Sequence, residues 1–230
     1  MRRTVLGVLL AASLAILEPV AVEAFGVGAG ASLDTTSISI SGTYSGVPVQ
    51  IREGLLPIGF HAFVDTRYLI GSVGFSITQG GTLAVTVGGS TATGGLVGTL
   101  EYVDFALYLK YPLRFGTNEF FPLLGLQYKL NVAYLDAAGT DVTPLLSAQE
   151  VADLSELWLK AGVGADFYIR SFYIRPLLTV GFKFLSPTDQ GGLAAMQSVG
   201  YAGASVFYFT FGLDIHLGWV IVNERLSSVR

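Results

Sequence analysis

Strict two-residue alternation runs through most of this chain and limits what it can fold into. In LWLKAGVGADFYIR, Leu157, Leu159, Ala161, Val163, Ala165, Phe167 and Ile169 form one set, and Trp158, Lys160, Gly162, Gly164, Asp166, Tyr168 and Arg170 the other. Successive side chains of a strand point to opposite faces, so one face here is apolar and the other carries charge, glycine and amphipathic aromatics. The pattern recurs in FYIRPLLTVGFKF, where Ile174, Pro176, Leu178, Val180, Phe182 and Phe184 alternate with Arg175, Leu177, Thr179, Gly181 and Lys183. Six further apolar stripes complete the series: Phe25–Leu33, Ile58–Val64, Leu69–Ile77, Val103–Tyr111, Leu124–Val132 and Phe207–Trp219. Eight strand segments follow, with no repeat or linker that marks a second domain.

Short and long connections alternate between these segments. Tight links are expected at Asp65-Thr66-Arg67 and Ser171-Phe172, and a modest one from Arg114 to Glu119. Long loops are expected over Asp34–Leu56, Gln79–Leu96, Leu135–Glu156 and Ser186–Ala204. Short turns on one side and long loops on the other are the layout of an outer-membrane barrel. The totals agree. The chain is 51% hydrophobic with only 13% charged residues, well below the usual quarter for a soluble domain. The 29 glycines disfavour a helical bundle. The absence of cysteine excludes a disulfide scaffold and an acylated N-terminal cysteine.

The N-terminus carries Arg2-Arg3, an apolar Val5–Leu17 and small or compact residues at Val22 and Ala24. That is a secretory signal over residues 1–24. The expected organisation is a signal peptide at 1–24, a barrel at 25–219 and a tail or strand extension at 220–230. Cleavage would remove two arginines and two glutamates and leave the net charge at −4.

A soluble barrel would point its apolar face inward. Here eight apolar faces with large aromatics exceed what a small lumen holds, and the other face is spaced by Gly162, Gly164, Gly181 and Gly212, as a crowded interior needs. The apolar face is therefore expected to meet lipid. A stripe such as Leu157–Ile169 is roughly 43 Å long at about 3.3 Å per residue. Tilted by about 45°, it covers roughly 30 Å, the thickness of a hydrocarbon core. The expected fold is all-β: an eight-stranded antiparallel up-and-down transmembrane β-barrel in the outer membrane of a diderm bacterium.

With LKYPLRFG, FFPLLGLQYKL and the closing FYFTFGLDIHLGW, the chain resembles the small eight-stranded outer-membrane barrels, including the OmpA transmembrane domain, OmpX and OmpW-like proteins. That resemblance implies a monomer in outer-membrane lipid, assembled by barrel-insertion machinery. Its OmpW-like branch implies an apolar vestibule for small hydrophobic solutes. Such barrels usually end at an aromatic residue, whereas Trp219 is followed by VIVNERLSSVR. Either Trp219 is an internal insertion signal or the last strand runs further.

The inward polar set is Asp104, Lys110, Lys129, Lys160, Asp166, Arg170, Arg175, Lys183, Asp214 and His216, a candidate ion-pair network filling the lumen. A Ser171-Phe172 turn would set Tyr168 opposite Arg175, with Asp166 diagonal to it, and Lys160 opposite Lys183 with Asp214 as the nearest neutralising acid. His61 and His216 are the only histidines. Neither sits in a His-x-Ser pattern of a lipid A deacylase, so no catalytic residue is expected. No metal or cofactor is expected either. The GGSTATGG stretch lacks the Lys-Ser/Thr of a phosphate loop. In DVTPLLSAQEVADLSE, Thr143 is a candidate N-cap with Pro144 at the first helical position. Leu145, Leu146 and Val151 are then candidates for lining an apolar vestibule. Asp34, Asp136, Asp141, Glu150, Asp153, Glu156 and Asp189 are expected to form an acidic outer rim, which disfavours nucleic acid. Two functions remain open: a barrel that admits or binds small apolar solutes, and a structural or surface-interaction barrel with a plugged lumen.

Overall fold

A computed structural model describes residues 24–147, 151 and 154–223. The expected signal peptide lies outside these residues except for Ala24, as do residues 224–230 of the expected tail and the rim acids Glu150 and Asp153. The elements are β1 (Ala24–Tyr44), β2 (Val47–Thr66), β3 (Leu69–Val87), β4 (Ser90–Lys110), β5 (Leu113–Phe115) and β6 (Asn118–Leu135), then a 3-10 turn (Thr143–Leu145), β7 (Glu156–Ile169), β8 (Phe172–Lys183), α1 (Pro187–Ser198) and β9 (Tyr201–Asn223).

The strands form one large antiparallel, barrel-like sheet in the order β4-β3-β2-β1-β9-β8-β7-β6-β5. Two pairings close the order, one of them between the two ends of the described chain. β1 pairs with β9 from Ala24↔Asn223 to Tyr44↔Tyr201. β4 pairs with β6 from Thr99↔Leu135 to Lys110↔Leu123. Over their lower parts, all eight long strands thus have a strand on each side. The short β5 only extends the β4–β6 link, pairing Leu113–Phe115 with β6.

Burial follows the alternation with the apolar face outward. On β8, Ile174, Leu178, Val180 and Phe182 are exposed, while Tyr173, Arg175, Leu177 and Thr179 are buried. The buried set of the described residues is dominated by polar groups, among them Asp34, Asp65, Lys110, Lys129, Lys160, Asp166, Arg175 and Asp214. A soluble protein buries apolar residues and keeps its charges outside. This one is inverted.

Two of the expected long loops are strand instead. Residues 34–56 and 79–96 continue the hairpins β1–β2 and β3–β4, which turn tightly at Ser45-Gly46 and Gly88-Gly89. All four of these residues have positive φ, from 50° to 90°, as a two-residue turn matched to strand twist requires. Alternating β-branched residues such as Ile38, Ile40, Thr82 and Thr86 carry the strands up to those turns. Above Thr99, β4 pairs only with β3 among the described strands, and above Phe209, β9 pairs only with β1. A five-stranded palisade β9-β1-β2-β3-β4 therefore stands above the rest.

The two other connections are true loops. In the first, Val142 rather than Thr143 is the N-cap, and the helical stretch that begins at Thr143 is a 3-10 turn. The Thr143 hydroxyl instead accepts from the Tyr134 N–H at 2.7 Å, and the Thr143 N–H donates to Asp141 at 2.9 Å. In the second, α1 was not expected. It starts with Ser186 and Asp189 in a reciprocal capping box and Pro187 in its first turn.

The β7–β8 turn is Arg170-Ser171, one residue earlier than expected, with Arg170 at φ 61°. Phe172 is thereby freed to join the outer face against Trp219, ring centroids 5.4 Å apart. The register moves by two residues. Tyr168 faces Tyr173, and Lys160 faces Gly181, while Lys183 stands opposite Trp158. Trp219 does not end the last strand. It pairs with Val27, and β9 continues to Asn223.

Candidate functional site

The buried charges gather in two layers. The lower one, toward the short turns, centres on Arg175 of β8. Its guanidinium bonds Asp166 of β7, with Nη2 donating to Oδ2 at 2.8 Å, and also Asp65 of β2. Lys110 of β4 approaches the same Asp65 at 2.7 Å and Asp166 at 3.9 Å. Two acids and two bases are thus interlocked, and the Tyr173 hydroxyl donates to Asp65 at 3.3 Å. Arg175 lies 4.9 Å from the Tyr173 ring centroid and 5.2 Å from that of Phe121. Cations over ring faces gain more when water is excluded, as at Arg175, which is 0% exposed.

The upper layer centres on Asp34 of β1. Lys160 of β7 reaches it at 3.2 Å and Lys129 of β6 at 3.8 Å. Asp104 stands across from Lys129 on neighbouring strands. Gly212 faces Asp34 on β9, and a Cβ there would fall 2.6 Å from the Thr179 hydroxyl and strike the Asp34 carboxylate. Between the layers, His61 and His216 meet Nε2 to Nε2 at 2.8 Å. Gly30 makes that meeting possible, since a Cβ there would lie 2.5 Å from His61 Nε2. Asp34, His61, Asp104, Gln127, Lys160, Asp214 and His216 are among the residues lining a cavity of about 30 Å³, room for an ordered water.

Three of these pairs, Asp65–Arg175, Asp34–Lys160 and Asp34–Lys129, join strands that are not neighbours. In sheet order, β2 and β8 are three places apart, β1 and β7 three, and β1 and β6 four. Ion pairs between such strands require the sheet to curl so that its inner face meets itself.

Of the expected lumen residues, Asp104, Lys110, Lys129, Lys160, Asp166, Arg175, Asp214 and His216 are buried inside. Two lie elsewhere. Arg170 sits exposed on the β7–β8 turn, because its left-handed backbone takes it out of the strand. Lys183, at the top of β8, pairs at 3.2 Å with Asp189 of α1. Lys160 is neutralised by Asp34 rather than by Asp214, and Asp166 lies level with Arg175 rather than diagonal to it, both consequences of the shifted register.

Asp34 and Asp65 belong to the buried ion pairs rather than to the rim and a turn. Parity would have found both. Asp34 continues the inward series Gly28, Gly30, Ser32, and Asp65 continues His61 and Phe63.

All three of the expected vestibule residues lie in the loop after β6. Leu145 is 83% exposed, while Leu146 and Val151 are half-buried. Of the rim acids, Asp189 is held below the ordinary carboxylate range: burial acts to raise it, but the Tyr208 hydroxyl at 2.6 Å, the Ser186 N–H and Lys183 together outweigh that. Asp141 is also lowered, by its hydrogen bonds from Thr143.

No protein-family model matches the chain, and no curated protein does. Among solved structures, the outer membrane protease OmpT from Escherichia coli is similar at 6% identity and a TM-score of 0.33, over 89% of this chain and 99% of that one. The translocator domain of the autotransporter NalP from Neisseria meningitidis is similar at 13% identity and a TM-score of 0.23, over 95% of each chain.

Proposed function

We propose that this chain is a closed eight-stranded β-barrel of a diderm outer membrane, with a lumen plugged by its own ion pairs. It serves as a structural or surface-interaction protein whose palisade and loops meet the outside. The observation that carries this reading is the set of cross-lumen pairs Asp65–Arg175, Asp34–Lys160 and Asp34–Lys129. Two cavities beside these charges hold only about 20 and 30 Å³, each too small for a solute. The outward stripes suit lipid. At the short-turn end they finish in aromatics, with Phe115 and Phe167 both edge-on to Phe120, and Phe172 against Trp219. Aromatic girdles of this kind mark the interfaces of membrane barrels. With both edges of every strand paired in that zone, the barrel stands as a monomer, delivered by its signal peptide and the insertion machinery. It is not an enzyme in this reading, since its two histidines bond each other rather than a nucleophile.

Flux through liposomes tests the plug. Refolded protein is expected to pass neither a hydrophilic nor a hydrophobic small solute, and conductance for ions and sugars would overturn the plugged lumen. A second reading, passage of small apolar solutes past the loop after β6, is favoured by the exposed Leu145. It requires that deleting residues 143–156 abolish uptake of a hydrophobic solute.

A further inference from the structure

Charge is distributed unevenly along the barrel axis. At the loop end, Asp136, Asp141 and Asp189 sit in the two loops, and Lys183 is already paired with Asp189. At the short-turn end each of the three connections carries an arginine: Arg67 between β2 and β3, Arg114 in β5, and Arg170 between β7 and β8. The described acids of that end, Asp65, Glu119 and Asp166, are turned away from solvent. Asp65 and Asp166 face inward to Lys110 and Arg175, and Glu119 is 5% exposed. Arg114 bonds Glu119 at 3.3 Å through its Nε alone, with 53% of its side chain exposed. One of these arginines lies over an aromatic ring, and the other two are close in sequence to aromatics of the girdle. Arg67 lies 5.1 Å from the centroid of Tyr68, Arg114 precedes the exposed Phe115, and Arg170 is two residues from Phe172.

We propose that Arg67, Arg114 and Arg170 form a ring that binds the headgroups of anionic phospholipid in the leaflet facing the periplasm. The inference rests on the outer-membrane reading above, which puts the short turns, with the first and last strand ends, on that side. Tyrosine and tryptophan settle at headgroup depth, so Tyr68 under Arg67, and Trp219 packed on Phe172 near Arg170, mark the level of the lipid phosphates at this end. Guanidinium groups match phosphate with two parallel N–H donors, and among the described residues the acids of this end, Asp65, Glu119 and Asp166, are buried. A basic residue held near an anionic surface favours it on the order of fivefold.

The test is spin-label electron paramagnetic resonance on refolded full-length protein in phosphatidylcholine vesicles, with trace spin-labelled phosphatidylglycerol or phosphatidylcholine. The motionally restricted fraction is expected to favour phosphatidylglycerol by about five- to tenfold at low salt. In an Arg67→Gln/Arg114→Gln/Arg170→Gln variant the preference falls to near unity, and the corresponding triple Lys variant keeps most of it. Heat-shifted gel mobility checks that each variant is folded. Equal restriction of the two lipids by inserted wild-type protein, or an unchanged preference in the Gln variant, overturns the ring alone. Protein that does not insert and restricts neither lipid overturns the barrel reading, and the ring with it.

Discussion

Asp65 shows how much one side chain holds in this interior. It bonds Arg175 and Lys110 together, two cations that without it would be left to Asp166 alone. Asp65→Asn keeps the volume and removes the charge. It is expected to cost about 3–5 kcal/mol, the range for leaving a buried ion uncompensated. Urea titration of the protein in vesicles, followed by tryptophan fluorescence, measures that. Gly30 makes a second case by geometry alone. Gly30→Val is expected to separate His61 from His216 and to destabilise by about 1–3 kcal/mol through overpacking, read in the same titration. The identity of most inward residues was legible in the sequence because parity along a strand is simple arithmetic. Their partners were not. Pairing across a lumen depends on register, and a turn placed one residue late moved every β7–β8 contact by two.

At the level of elements, the lower strands were legible and their upper continuations were not. Apart from Tyr44, residues 34–56 and 79–96 lack aromatics and carry short Ser, Thr, Ile, Val and Leu alternations broken by glycine and charge, a weaker signal than the lower stripes. Ser45-Gly46 and Gly88-Gly89 were the available hairpin signals. The helix α1 was likewise announced by Ser186-Pro187-Thr188-Asp189. Its anchorage is sensitive to acid. A carboxylate depressed in the folded state contributes stability that is present above its unfolded value and lost as pH falls through the folded one. Asp189 is such a group, so α1 is expected to hold at neutral pH and to loosen as pH drops below the ordinary aspartate value of about 3.9. Hydrogen exchange of the amides of residues 189–198 across that range follows it. Ser186→Ala removes half of the capping box and is expected to speed the same exchange at neutral pH, by about 0.5–2 kcal/mol of lost helix stability.

For the molecule as a whole, inversion is the governing fact. Its charges are inside and its apolar side chains outside, so the same substitution has opposite consequences on the two faces. Leu126→Arg places a charge on the exposed face of β6 between the two ends of the strand. It is expected to cost about 2–4 kcal/mol in a bilayer. In detergent, where the charge reaches water more easily, the cost is expected to shrink, and unfolding titrations in the two media read the difference.

The seam between β1 and β9 also sets the timing of folding. Ala24 and Asn223 are partners, so the start of β1 waits for the far end of β9 before it is bonded on both sides. Contacts so distant in sequence demand loop closure before they return any stability, and they make for slow folding. Synthesis from the N-terminus makes β1 long before β9. The seam between them can form only after β9 has been made.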